Sequence, residues 1–113
     1  MAYDEDLAER FRQAASRLGA ITEKRMMGGQ CFFLNGNMLG GADRSKEGLR
    51  RLMFRVGKDN LAEALERPGA SSMELGGRRM GGMVFVDAAT CDDQALIAWL
   101  DLVASFVRTL PAK

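Results

Sequence analysis

Apolar residues recur at helical spacing near both ends of the chain. The first pattern predicts a helix over residues 4–18, with acidic side chains at the positive end of its dipole and Gly19 as its stop. The second predicts a C-terminal helix that begins with a capping box of Thr90 and Asp93 and ends at Pro111. Its apolar stripe is wide enough to cover a sheet face, and comprises Leu96, Trp99, Leu100, Val103, Phe106, Val107 and Leu110.

Between these helices the pattern changes to short segments typical of strands. Arg51–Val56 alternates cleanly, so that Met53 faces away from Leu52 and Phe54, and we predict a half-buried antiparallel strand. Asn35-Gly36 is a strong hairpin signal, because both residues accept positive φ. The other predicted strands are Ile21–Met27, Gln30–Leu34, Asn37–Ala42, Ser71–Leu75 and Met83–Asp87, with loops at Asp43–Gly48 and Gly76–Gly82 and a short helix at Lys58–Glu66.

This order predicts an α+β fold with helix, three strands, helix, two strands and helix around an antiparallel sheet. The 113 residues suit one domain over residues 1–113, and 47% apolar residues argue against disorder. No apolar run approaches the roughly 18 residues of a membrane span. The acidic N-terminus does not resemble a signal peptide. We therefore expect a cytoplasmic globular domain without membrane contact.

The composition excludes several kinds of chemistry. Histidine is absent, which removes the commonest general base and metal ligand and rules out Ser-His-Asp and Cys-His arrangements within the chain. Two cysteines without histidine cannot form an ordinary zinc site. Cys31 is expected in the core; Cys91 is either structural or, just before a helix, reactive. The acidic pairs at predicted helix starts suit dipole and capping roles. We expect no catalytic residues, metal or cofactor.

Positive charge is uneven although the net charge is only +1, which argues against a dedicated nucleic-acid binder. Residues 44–58 hold six basic residues and one acidic residue. This segment is either a solvated sheet face or edge, or an electrostatic patch for an acidic partner or nucleic-acid backbone. With the basic residues before two glycine pairs, it defines a candidate interaction patch of Lys24, Arg25, Arg51, Arg55, Arg78 and Arg79.

Glycine and methionine add two further open questions. The segments 24–29 and 78–82 both place basic residues and methionine before a glycine pair, as two similar sheet turns or as one basic rim across adjacent loops. The loop Gly76–Gly82 is also the best candidate for binding an anion through backbone amides. Seven methionines fall between Met26 and Met83, either as core filling or as an adaptable contact surface.

Several segments together resemble the N-terminal domain of the TfoX/Sxy family of bacterial competence regulators. They cover almost the whole chain, and their order and spacing carry the likeness. They are the opening Met1-Ala2-Tyr3-Asp4, Lys24-Arg25-Met26-Met27-Gly28-Gly29, Phe32-Phe33-Leu34-Asn35-Gly36-Asn37-Met38, Leu52-Met53-Phe54-Arg55-Val56-Gly57, Pro68-Gly69-Ala70, Gly77-Arg78-Arg79-Met80-Gly81-Gly82, Val84-Phe85-Val86-Asp87 and the helix that contains Trp99. The resemblance implies an α+β fold similar to secretion chaperones and a link to transcriptional control of DNA uptake.

We therefore expect a non-enzymatic interaction or regulatory module with an unidentified protein partner. One alternative is a regulator that contacts nucleic acid weakly, with binding that falls steeply with salt. Another is a protein that binds a small anionic ligand through Gly76–Gly82. A homodimer is also expected, because pairing would bury a sheet edge.

Overall fold

The computed structural model describes residues 5–26, 29–45, 47–75 and 77–112, and only the backbone of residues 75 and 78–80. Three-residue 3-10 turns flank the longer elements at Ser16–Leu18, Lys58–Asn60 and Ala88–Thr90. The helices are α1 (Glu5–Ala15), α2 (Leu61–Leu65) and α3 (Asp93–Val107), and the strands are β1 (Ile21–Met26), β2 (Gly29–Leu34), β3 (Asn37–Arg44), β4 (Arg50–Arg55), β5 (Ala70–Leu75) and β6 (Arg78–Asp87).

The six strands form one antiparallel sheet in the order β1-β2-β3-β4-β6-β5, which confirms the α+β class. Four strands precede α2, at the four segments predicted individually, whereas the summarised order counted three. The weakly alternating segment 21–26 forms a complete edge strand, with mostly exposed side chains. β3 also runs two residues beyond its predicted end, because Asp43 and Arg44 pair with Arg51 and Arg50.

The β2–β3 turn is the predicted hairpin. Asn35 has φ 54° and Gly36 has φ 81°, so both residues adopt the positive φ that the Asn-Gly pair allows at little cost. The turn fixes the register of β2 against β3, in which Leu34 lies opposite Asn37.

Helices α1 and α3 cover one face of the sheet and enclose the helix-side core. An aromatic stack joins the two layers: the Phe11 ring lies 4.7 Å from Phe32 and 5.8 Å from Phe54, and Phe54 lies 5.0 Å from Trp99. The four rings are almost entirely buried, as are Leu7, Leu52, Val84 and Leu100. Burial of large apolar groups at this interface is the main stabilisation of the fold.

The start of α3 differs from the prediction. Asp92, not Thr90, caps the helix, since its carboxylate accepts a hydrogen bond of 2.8 Å from the Ala95 amide. Thr90 instead ends a 3-10 turn and donates its hydroxyl to the Asp87 carbonyl oxygen. Among the described residues, no helix has both the length and the apolar character needed to cross a membrane.

Candidate functional site

A second apolar cluster lies on the sheet face opposite the helices. Side chains alternate along a strand, so Cys31 and Phe33 face away from Phe32, and Met53 faces away from Phe54. Every described helix residue that enters an apolar cluster belongs to the helix-side core. We call the second surface the methionine face; it contains the buried Cys31, Met53, Met73, Met83 and Phe85, with Met26, Phe33 and Met38 partly buried against them.

A β-bulge sorts the β3 side chains between the two faces. The register shifts between Phe32 and Phe33, so that Phe33 pairs with Met38 on the methionine face while Leu39 joins the helix-side core. Gly41 lies between Cys31 and Met53 in the same cross-strand row. A Cβ at Gly41 would lie 2.2 Å from the Gln30 carbonyl oxygen, so this close strand approach requires glycine.

Arg51 lies on this face and is held by an ion pair within the protein. Its Nε and Nη2 atoms donate to the two carboxylate oxygens of Asp43 at 3.0 and 2.8 Å. The guanidinium also lies 3.8 Å from the centroid of the Phe85 ring. This arrangement fixes the Arg51 side chain in one orientation, with the carboxylate beside it and the aromatic ring beneath it.

The remaining cations of the predicted patch are spread over the sheet. Lys24 pairs with Cys31, and the adjacent Arg25 pairs with Gln30, so the two side chains face opposite sides of β1. Three strand spacings, roughly 14 Å, separate β1 from β4. Arg55 stands at the end of β4, where its guanidinium lies 5.5 Å from the Phe106 ring centroid. The side chains of Arg78 and Arg79 lie outside the described residues.

The glycine-rich segment 76–82 is not the predicted loop. Strand β6 already begins at Arg78, and only the turn before it interrupts the sheet. The register between β5 and β6 shifts opposite Met73, which places Gly81 and Gly82 in an irregular stretch of β6. The hypothesis of a basic rim across adjacent loops is wrong, since three strands separate β1 from β6. β4 is likewise an inner strand, so its basic residues do not mark an edge.

Both cysteines are free thiols and both are buried. Cys31 is fully buried, and burial raises the pKa of its thiol to about 11, with the nearby Asp43 carboxylate acting in the same direction. Burial also raises the pKa of the Cys91 thiol, against the opposing effect of Arg10. Because the thiolate is the reactive form, the structure favours the structural interpretation of Cys91 over the reactive one.

The acidic residues at the helix starts have the expected structural roles. Glu5 and Asp6 lie in the first turn of α1, and Asp92 caps α3. Asp93 pairs with Arg10 at 3.2 Å and so links the two helices. No group of three or more metal-ligating side chains occurs within the described ranges.

The sequence analysis placed Met53 correctly on the face opposite Phe54, but it predicted a half-buried strand. Met53 is in fact 0% exposed, because methionines and aromatic rings from the neighbouring strands surround it. Phe33 and Phe85 were not singled out as candidate contact residues, and Met38 was considered only as one of seven methionines. The signal was present in the alternation of β2, whose apolar residues fall on both faces rather than on one.

The fold is therefore an α+β domain in which two helices cover one face of an antiparallel sheet and an apolar, methionine-rich cluster occupies the other. The family model of the TfoX N-terminal domain matches residues 13–106, and the chain belongs to this family. This confirms the resemblance carried by the sequence motifs. Comparison with curated proteins and comparison with solved structures gave no match.

Proposed function

We propose that this chain is a non-catalytic, regulatory interaction module that binds a protein partner through the methionine face. Membership of the TfoX N-terminal domain family supports a competence-regulator-like module. The position of the binding surface rests on the structure of the sheet.

The observation that carries the proposal is the cross-strand pair of Phe33 and Met38. Both side chains are only partly buried, and they pack against a cluster that no described helix residue joins. Met26 is likewise partly buried and packs against the same cluster. Methionine is flexible and polarisable, so such a surface adapts to the shape of an apolar partner segment.

Charge at the border of the methionine face suggests the chemistry of the partner. Lys24 is exposed and lies directly across from Cys31, in the same cross-strand row as Met53. A partner segment with an apolar anchor and a neighbouring carboxylate would fill the surface beside Phe33 and pair with Lys24. Aromatic and aliphatic anchors suit this role best.

A protein partner is preferred to a nucleic acid for two reasons. Arg51 already makes a bidentate ion pair with Asp43, so contact with a phosphate would have to compete with that carboxylate. Lys24 and Arg55 lie on different strands and do not form one continuous groove. Nucleic-acid binding nevertheless has a distinct signature, a steep fall in affinity with salt, which the experiment below records.

Affinity capture from a lysate of the source cell tests the proposal. Three baits are compared: the wild-type chain, Met38→Glu and Leu49→Glu. Leu49 is a matched control because it is 48% exposed and outside the methionine face. We expect a protein retained by wild type and Leu49→Glu but lost from Met38→Glu. Calorimetry with that purified protein should show binding at least about tenfold weaker for Met38→Glu.

Identical retention by all three baits would contradict the proposal, as would capture of nucleic acid alone in a salt-dependent manner. Circular dichroism of each bait confirms that the variant is folded. A second copy of this chain is a separate outcome, which supports the expected homodimer instead of a different partner. Light scattering across a concentration series decides it, since Met38→Glu would then abolish dimers.

A further inference from the structure

A groove lies at the end of the sheet where β4 passes into the 3-10 turn Lys58–Asn60. Its volume is about 330 Å³, and its walls include Arg55, Lys58, Asp59, Gly81 and Phe106. Two hydrogen bonds hold its floor together: the amides of Val56 and Gly57 both donate to the Gly82 carbonyl oxygen, at 2.9 and 3.0 Å. These contacts tie the end of β4 to the irregular stretch of β6.

Two of the glycines here have conformational reasons for being glycine. Gly57 has φ 86°, and a Cβ would lie 2.6 Å from the Phe106 ring. Gly82 has φ 78°, and a Cβ would lie 3.2 Å from the Gly57 backbone. Both positions are therefore explained by the backbone and by close packing.

Gly81 is different. Its φ is not positive. Among the described residues, the only heavy atom close to a Cβ built at this position is Cε of Lys58, at 3.4 Å. Glycine inside a strand is less favourable than alanine, because it loses more backbone freedom on folding. Glycine inside a strand often marks a bulge or a place where a ligand or another backbone approaches closely. Gly81 lies in the irregular stretch of β6 and borders the groove beside Lys58, so this position fits a bulge and also leaves open space for a ligand.

The charged groups of the groove favour an anion. Arg55 is partly buried, with its guanidinium 5.5 Å from the Phe106 ring centroid, and Lys58 is exposed beside Gly81. Asp59 is the one carboxylate among the residues that line the groove, and its side chain is exposed to water. Two cations and one solvated acid therefore line this concave surface, which leaves it a net positive charge.

We propose that this groove binds the phosphate group of a small phosphorylated molecule, with Arg55 and Lys58 as its charge partners and Gly81 leaving room for the phosphate beside the backbone. The volume suits a phosphate with a small substituent rather than a large cofactor. The site is independent of the methionine face, because none of its lining residues belongs to that cluster.

Titration of the ¹⁵N-labelled chain followed by NMR tests the proposal. The probes are inorganic phosphate and phenyl phosphate, a monoester whose ring can contact Phe106, with sodium chloride at matched ionic strength as the reference. We expect saturable shifts of the Gly57, Lys58, Gly81 and Gly82 amides with both phosphates and none with chloride. Tighter binding of phenyl phosphate would identify the ligand as a monoester, and equal binding would identify free phosphate.

Three variants make the test specific. Lys58→Met should bind about tenfold more weakly, since one charge-assisted contact is lost. Gly81→Ala should weaken phenyl phosphate binding while the rest of the spectrum is unchanged, because the added methyl group points toward Lys58. Arg17→Met removes an exposed cation that does not line the groove and should bind like wild type.

Unsaturable shifts spread over all exposed cations would overturn the proposal, and so would equal weakening by Lys58→Met and Arg17→Met. The amide dispersion of each spectrum shows directly whether a variant has unfolded. Failure of this test leaves the methionine face untouched, since that proposal depends on Met38 and not on Lys58.

Discussion

Replacing Asp43 by asparagine removes the carboxylate that holds Arg51 and keeps nearly the same shape. The Asp43 side chain is 6% exposed and the Arg51 side chain 24%, so the pair lies at the border between the interior and the solvent. Two hydrogen bonds of 3.0 and 2.8 Å make the pair bidentate. Its removal therefore tests whether Arg51 is an internal structural residue or an arginine available for a ligand.

The size of the effect depends on which partner is left behind. Breaking a buried ion pair costs about 3–5 kcal/mol, but water reaches Arg51, so we expect Asp43→Asn to lose about 2 kcal/mol. Arg51→Met leaves the more buried carboxylate without its cation and removes the contact with Phe85, so its loss should be about 3 kcal/mol. The double variant should lose less than the sum, by about 1–2 kcal/mol.

Urea unfolding of the wild type, both single variants and the double variant measures these free energies. Arg17→Met is the control and should stay within about 0.5 kcal/mol of wild type. Additive losses, or losses no larger than the control, would refute the ion pair as a structural element. The expected result also matters for binding studies. If an Arg51 variant lost affinity for nucleic acid, the loss would first have to be attributed to its lower stability and not to a missing contact with the nucleic acid.

Three further predictions concern the backbone and the titrating groups. Gly40→Ala should lower thermal stability by at least about 3 kcal/mol, because its Cβ would lie 1.9 Å from a carbonyl oxygen of the next strand. Gly48→Ala is the control: its Cβ would meet open space, so the loss should be only about 1–2 kcal/mol. Equal losses in the two variants would contradict the close approach at Gly40. Burial raises the pKa of the Cys31 thiol from 9.0 to about 11, so the free energy of unfolding measured in urea should fall as pH rises from 9 to 11. Cys31→Ala should make this dependence on pH less steep. The same dependence on pH in the variant and the wild type would argue against a role for the thiol. Hydrogen bonds from Arg12 lower the pKa of Glu23, so stability should decline as pH drops below about 4.5. Acid titration followed by circular dichroism should show a less steep decline for Arg12→Met than for wild type. Parallel titration curves for the two proteins would disprove the coupling between Arg12 and Glu23.

The helices and most strands could be predicted because their signals are local. The stripe of α3, the hairpin at Asn35-Gly36 and the alternation of β4 each specify a structure within a few residues. The cap of α3 was predicted at Thr90 and is instead Asp92, because the 3-10 turn Ala88–Thr90 precedes the helix and both residue types are good caps.

The candidate site was less predictable because it depends on the order of strands. Composition indicated a basic segment at residues 44–58, but only the β3–β4 register brings Asp43 to Arg51. Segment 76–82 was predicted to be a loop, since glycine pairs are typical of turns, yet residues 78–82 belong to β6, where the pairing with β5 is irregular. The methionine face combines residues from β1 to β6, a set that no local pattern of one strand could identify.

The most direct measurement uses the chain labelled with ¹³C at its methionine methyl groups, titrated with the protein that the capture experiment retains. Binding through the sheet should shift or broaden the methyl signals of Met26 and Met38, while the amide signals of α1 stay in place. If a complex forms and those methyl signals do not change, the partner binds elsewhere and the account is wrong.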